Sequence, residues 1–228
     1  MPVAIITGAS QGLGRALALE LAGRGWSLIL DARHEPALTA ISHELGDAPH
    51  RIVHGDVPDP AHRAELVEAA WGLGDVDLLV NNASTLGASP MPWFADLDEA
   101  TYLRTLQVNL VAPMALVRDL LPTLRSASAT IVNISSDAAV EAYEGWGAYG
   151  SAKAGLDHAS RILATEEPSL RVLSVDPGDM RTAMHQAAFP GEDISDRPLP
   201  HTVAPRLVDL VLGDVAGGRT GVSEAVSS

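Results

Sequence analysis

Short runs rich in Val, Ile and Leu alternate with amphipathic stretches along almost the whole chain, and this limits the fold more than any other feature. The runs are Val3–Thr7, Ser27–Leu30, Arg51–His54, Val76–Val80, Thr130–Ile134 and Arg171–Val175. They read as parallel strands covered on both faces. Between them, helical patterns span Gly12–Arg24, Pro36–Leu45, Ala61–Trp71, Asp98–Leu124, Tyr149–Glu166 and Val203–Leu212. A weaker seventh strand is expected after Gly221. Strand–helix alternation at this spacing builds βαβ units with right-handed crossovers. The fold class is therefore α/β, a doubly wound parallel sheet of six to seven strands with helices on both faces. No repeat, low-complexity tract or linker interrupts the 228 residues, so residues 1–228 are expected to form a single domain. One long irregular segment, 183–201, carries Pro190, Gly191, Pro198 and Pro200, and is expected to be a lid over a site.

Composition narrows the class. With 46% hydrophobic and 19% charged residues the chain is globular. The absence of cysteine removes disulfides, zinc–cysteine sites and thiol nucleophiles. A net charge of −14 speaks against nucleic acid and anionic membrane as partners, since both need clustered Lys and Arg. The stretch Val108–Val117 is too short to span a bilayer, and the first ten residues lack a basic, apolar leader pattern. A cytoplasmic protein is expected. Of the 15 basic residues only Lys153 is a lysine. The arginine bias is a matter of codon usage; the single lysine asks for a reason.

The first strand runs into Thr7-Gly8-Ala9-Ser10-Gln11-Gly12-Leu13-Gly14 and directly into a helix. Gly8 permits a tight turn, Gly12 lets backbone approach a pyrophosphate, and Gly14 lets helix and strand pack closely. The helix N-terminus then presents free N–H groups to phosphate oxygens. The spacing is GxxxGxG, and in this strand–turn–helix context it favours a nucleotide site on a Rossmann-like sheet over a purely structural turn. About twenty residues later such sites carry either an acid for a ribose 2′-hydroxyl or an arginine for a 2′-phosphate. The second strand ends Leu30-Asp31-Ala32-Arg33, so both residue types are present, and strand alternation puts both on one side.

Tyr149 and Lys153 stand four apart at the start of a helix, on one face. A nearby cation lowers the pKa of a phenol, which makes such a pair a general acid/base. Tyr and Lys also fall four apart by chance in many helices. The one lysine of the chain landing there favours a functional reading, because arginine cannot relay a proton. Ser136, at the end of the fifth strand, is placed to hydrogen-bond a substrate oxygen. His50 and His54, though four apart, fall in a strand entry and are not read as metal ligands. No metal is expected. Trp93, Phe94, Tyr143 and Trp146 follow the fourth and fifth strands on the ligand side of the sheet. With Met184 they suggest an apolar, aromatic wall for a substrate.

Taken together and in order, these motifs resemble the short-chain dehydrogenase/reductase family over nearly the whole chain. Thr7–Gly14 is similar to the family's TGxxxGxG turn. Asp56 and Val57 resemble the adenine-binding pair, and Asn81-Asn82-Ala83-Ser84 resembles its NNAG motif, with Ser84 in place of glycine. Asn109 matches the asparagine of the proton relay; Ser136, Tyr149 and Lys153 match the catalytic serine and YxxxK. Pro177-Gly178 with Thr182 matches PGxxxT beside the nicotinamide. The resemblance implies that Ser10, Gln11, Asn82 and Ala83 also face the cofactor. In the family register the NAD-selecting acid would stand at position 32, which is Ala32, so Arg33 and NADP(H) are favoured over NAD(H). The implied reaction interconverts a carbonyl and an alcohol by hydride transfer, with Tyr149 as general acid/base, Ser136 polarising the oxygen, and Lys153 assisting the phenol and holding a ribose. The implied partners are a small carbonyl or alcohol substrate and further copies of the chain, as a homodimer or homotetramer. Two rival readings are a catalytically idle nucleotide sensor on the same fold and a ketoacyl reductase for carrier-protein thioesters. The intact residue set opposes the first and the acidic charge the second.

Overall fold

The computed structural model describes residues 1–222, and the expected strand residues beyond Val222 lie outside them. Seven parallel strands form one sheet: β1 (Val3–Ile6), β2 (Ser27–Ala32), β3 (His50–His54), β4 (Leu78–Asn81), β5 (Thr130–Ile134), β6 (Arg171–Asp176) and β7 (Gly218–Gly221). Their spatial order is β3-β2-β1-β4-β5-β6-β7. Chain progression reverses between β1 and β4, the point at which open α/β sheets leave a crevice beyond the strand ends. The seventh strand ends at Gly221 rather than starting after it.

Alternation along β1 divides the core. Ala4 and Ile6 pack with α1 (Gly12–Gly23), α2 (Glu35–Leu45) and α8 (Pro200–Leu212) on one face. Val3 and Ile5 pack on the other face with α3 (Pro60–Trp71) and α5 (Ala112–Ala127). Burial on both faces makes β1, β2 and β4 uniformly buried and mostly apolar, whereas edge strand β3 is half exposed. Local chemistry sets the helix starts. Asp59 and Asp98 cap α3 and α4 (Glu99–Leu106), accepting from Ala61 N and Thr101 N at 2.9 Å.

Two expected elements take another form. The helix foreseen over Asp98–Leu124 is three segments: α4, a π turn over Gln107–Val111, and α5. Pro113 has no N–H for the carbonyl of Asn109, four residues back, and the backbone accommodates this with the wider turn. The irregular segment 183–201 contains α7 (Ala183–Ala188), capped by Thr182, and the first residues of α8.

A chain of buried amides seats α6 (Gly147–Glu166) on the sheet. Asn81 Nδ2 donates to Asn133 Oδ1 at 2.7 Å, Asn133 Nδ2 donates to Ser160 Oγ at 2.7 Å, and Ser160 Oγ donates to the Leu156 carbonyl at 2.7 Å. This links β4, β5 and α6 without leaving the interior. Among the described residues no helix is long and apolar enough to cross a membrane.

A second buried tie joins β2 to α3. Asp31 is 1% exposed, and its Oδ1 lies 2.7 Å from Nε2 of His62, which is 4% exposed. Burial pushes the Asp31 carboxyl above its ordinary range despite the His62 contact. For His62, burial acts to lower the pKa, but the bond and charge of Asp31 outweigh it and raise the imidazole. Both shifts place more protons on the folded than on the unfolded chain. The contribution of His62 is therefore complete below the ordinary histidine value of about 6.5 and declines as pH rises through the higher folded value. We expect His62→Leu, which leaves Asp31 buried without a partner, to cost about 3–5 kcal/mol at pH 6. Urea unfolding should show the gap to wild type narrowing toward pH 9; a gap independent of pH would contradict a charged His62.

Candidate active site

A cleft of about 800 Å³ lies beyond the carboxyl ends of the strands, on both sides of the β1–β4 switch point. At one end it is lined by Gly8, Ser10, Gln11, Gly12 and Leu13 of the turn after β1. Gly8 has φ +66°, and a Cβ there would stand 2.9 Å from Ala83 Cα, so only glycine fits this approach. Gly14 lies beneath the turn, where a Cβ would be 2.4 Å from both Gly8 O and Asn82 Nδ2. Its role is packing, and it does not line the cleft. Asn82 fastens the same turn, donating to the carbonyls of Thr7 and Gly8 at 2.8 and 3.1 Å. Among the described residues no side chain caps α1, whose first N–H groups stand at the cleft-lining turn.

The competing residues at the end of β2 are separated by burial. Asp31 is committed to His62, while its backbone carbonyl accepts from Ala9 N at 2.8 Å and steadies the glycine turn. Arg33 is exposed at the cleft and makes no ion pair among the described residues. Asp56 and Val57 line the same end, as do Asn82 and Ala83. The Asp56 carboxylate is paired with Arg104 of α4 at 2.5 Å, a partner 48 residues away with no local signal.

At the other end stand Ser136, Tyr149 and Lys153, together with Pro177, Gly178 and Thr182 after β6. Ser136 Oγ donates to Asp137 Oδ1 at 2.9 Å and accepts from Ala138 N at 3.2 Å. Lys153 is buried, with Nζ donating to the Ile134 carbonyl at 2.7 Å and lying 5.6 Å from the centre of the Tyr149 ring. Burial pulls the lysine down to about 8. The expected lowering of the phenol is not met by these groups alone. Burial pushes Tyr149 up to about 12, with Asp176 and Asp137 adding to it, against the lowering influence of the nearby Ser84 and Ser136 hydroxyls. Asn109 lies behind the cleft wall, 1% exposed, and holds the Thr85 backbone and the Ser84 hydroxyl.

The proposed substrate wall is partly redrawn. Trp146 and Met184 line the cleft. Trp93 is 60% exposed and does not line it; Phe94 packs edge-on against Tyr102. Tyr143 stands behind Trp146, at 5.9 Å between ring centroids, with its hydroxyl donating to Asp137 Oδ2. His185 and Phe189 were not foreseen. His185 lines the cleft, and Phe189 packs against both His185 and Trp146. Arg219 of β7 was also missed: it donates to the Ser136 carbonyl at 2.9 Å and pairs with Asp157 at 3.0 Å. Nothing in its local sequence distinguishes it. His50 and His54 bond to Ser42 and to the Arg33 carbonyl, respectively.

The glycine cradle, the uncapped helix start and the unpaired guanidinium fit a phosphate-bearing dinucleotide. Comparison with known proteins identifies the family. A family profile described as short chain dehydrogenase matches residues 2–193. Sepiapterin reductase of Mus musculus is 36% identical over 201 residues, covering 82% of this chain and 77% of its own. Serine 3-dehydrogenase of Agrobacterium fabrum is 36% identical over 181 residues, covering 78% and 72%. Among solved structures, an alcohol dehydrogenase from Thermococcus sibiricus complexed with 5-hydroxy-NADP superposes with a TM-score of 0.87 at 28% identity, covering 97% of this chain and 95% of its own. A short chain dehydrogenase from Shigella flexneri gives 0.87 at 27% identity, covering 97% and 91%. The chain is an oxidoreductase belonging to the short-chain dehydrogenase/reductase family, whose members use NAD(P)(H).

Proposed function

We propose that the protein is an NADP(H)-dependent oxidoreductase that interconverts a small aldehyde or ketone and its alcohol, with Tyr149 as the proton donor and acceptor. One observation carries this reading. A single cleft has Ser136, Tyr149 and Lys153 at one end and the unpaired Arg33 at the other, while Asp31 is withdrawn into a buried pair. A nicotinamide held at this end of the cleft by Pro177, Gly178 and Thr182 would supply the hydride.

The residues do the rest. In carbonyl reduction the Tyr149 phenol gives its proton to the substrate oxygen as that oxygen becomes an alkoxide; in alcohol oxidation it takes the proton back. Ser136 turns its hydroxyl from Asp137 to the same oxygen and stabilises the charge that develops there. Lys153, anchored on the Ile134 carbonyl, has further N–H groups for a ribose hydroxyl and holds positive charge near the phenol. Gly8, Ser10, Gln11, Gly12 and Leu13 receive the pyrophosphate with the open N–H groups of α1, Arg33 binds the 2′-phosphate, and Asp56, Val57, Asn82 and Ala83 frame the adenosine. Pro177, Gly178 and Thr182 frame the nicotinamide.

Trp146 and Met184, backed by Phe189 and Tyr143, favour an apolar or aromatic carbonyl compound. We read residues 183–201 as the lid of this domain, since α7 carries Met184 and His185 into the cleft. Leu103 and Val111, about half exposed on the α4 side, and Ile162 on α6 support a homodimer or homotetramer built on these helices.

Tyr149→Phe should lower turnover of a carbonyl panel with NADPH by about 10²–10⁴-fold while NADPH binding, followed by fluorescence, is kept. Turnover retained by this variant would overturn the mechanism. Arg33→Ala should weaken NADPH about 10–100-fold and leave NADH nearly unchanged, as expected for the loss of a charged hydrogen bond to phosphate. Equal effects on the two dinucleotides would refute the cofactor assignment.

A further inference from the structure

Asp31 and Arg33 stand two residues apart at the end of β2, and both belong to the wall of the cleft. An acid at such a place accepts from a ribose 2′-hydroxyl and repels a 2′-phosphate. What decides between the two residues comes from outside the cleft, on α3. His62, 4% exposed, places Nε2 2.7 Å from Asp31 Oδ1. Its ring lies against Gly55, where an added Cβ would stand 2.2 Å from His62 Nδ1 and 2.4 Å from Cγ. Gly55 N in turn donates to the Ala32 carbonyl at 3.1 Å. The ring therefore contacts both the end of β2 and the turn after β3, two segments that line the same end of the cleft. The glycine of Gly55-Asp56-Val57 leaves the room this imidazole needs to reach the acid.

We propose that His62 is a specificity-determining residue for the cofactor: by pairing with Asp31 it cancels the charge of the acid and leaves Arg33 free for a 2′-phosphate. The proposal rests on the NADP(H) reading given above. His62 acts through Asp31 and need touch no ligand itself. With one proton shared between imidazole and carboxyl the pair carries no net charge, whichever of the two holds it. Loss of that proton leaves one negative charge in the cleft wall, two residues from Arg33, where it competes for the guanidinium and opposes a phosphate. NAD(H) tolerates the same charge, because its 2′-hydroxyl donates to a carboxylate.

The groups around the ring decide how firmly the proton is held. On α3, Glu65 Oε2 lies 4.0 Å from His62 Nδ1, and Asp59 at the helix start adds negative charge. Asp56, next to Gly55, is paired with Arg104, and the Arg63 guanidinium is turned to Asp119 and to the Val57 and Pro58 carbonyls. His54, at the end of β3, faces the Arg33 carbonyl through Nε2. Burial acts against charge on the imidazole, but the Asp31 bond and the surrounding carboxylates outweigh it and raise the pKa. The pair is therefore neutral at low pH and becomes negative as pH rises through the raised value. The preference for NADPH should be greatest at low pH and decline above it.

The test is the ratio of the NADH to the NADPH dissociation constant, read by fluorescence titration of the full chain. It is followed from about pH 7 to about pH 9.5, above the second ionisation of a phosphate monoester near 6. In wild type the ratio should fall about tenfold over this range, mostly through weaker NADPH. Asp31→Asn, which carries no charge at any pH, should keep the ratio high and flat. His62→Gln retains a donor for Asp31 but no charge, so at pH 7 it should lower the ratio about tenfold. Asp31→Asn combined with His62→Gln should restore it, which a loss of packing alone would not do. The wild-type profile needs no variant and stands even if His62→Gln fails to fold. A wild-type ratio that does not move with pH would overturn the proposal. So would a folded His62→Gln with the wild-type ratio, a combined variant that stays low, or an Asp31→Asn profile that falls like wild type. An Arg33→Ala variant that weakens both dinucleotides equally would instead overturn the NADP(H) reading on which it rests.

Discussion

The hydrogen bond from Lys153 to the Ile134 carbonyl is the contact on which the chemical end of the molecule depends. A fully buried ammonium carries a large desolvation cost, and its pKa of about 8 records that cost. The carbonyl at the end of β5 offsets part of it, and in doing so locks the start of α6 against the strand that delivers Ser136. The Asn81–Asn133–Ser160 chain repeats the attachment about two turns farther along, so the register between helix and sheet is held at two levels. Tyr149, one turn before Lys153, is placed by the same docking. Arginine could not take this place: its larger guanidinium would bring more N–H groups than one carbonyl satisfies, and it would not give up a proton.

At the opposite end a different electrostatic constraint operates. Two residues separated by a single alanine compete for the mouth of the cleft, and burial assigns them different tasks. Asp31 faces His62 across the layer between β2 and α3, where an unpaired carboxylate could not remain. Arg33, just past the strand, keeps its guanidinium in solvent at the cleft. The acid thus helps to hold the glycine turn through its strand, and the base is left for a ligand. Neither outcome depends on charge alone; both follow from where the strand stops.

Between the two ends, an irregularity in a helix has a chemical use. Pro113 interrupts the helical ladder at Asn109, and the π turn that results brings the asparagine side chain to the Ser84–Thr85 segment. A regular helix through these residues would point Asn109 elsewhere.

Element order, the glycine turn and the Tyr149–Lys153 pair were legible in the sequence because each rests on a local rule: two-sided burial of parallel strands, the conformational freedom of glycine, and helical spacing. Strand β5 matches its sequence reading from end to end, and α3 starts only one residue early, at Pro60 after the Asp59 cap. Other features depended on residues distant in the chain. Trp93 looked like a wall residue and faces solvent; Phe189 and His185 carried no signal and stand at the substrate end. The pairing of Asp31 with His62, of Asp56 with Arg104, and of Arg219 with the Ser136 carbonyl joins residues 31, 48 and 83 positions apart. The sequence by itself determined which kind of sheet forms and which chemistry its turns can hold. Only the tertiary structure decided which charges are spent inside the protein and which remain for a ligand, because desolvation is a property of the packed neighbourhood and not of the chain.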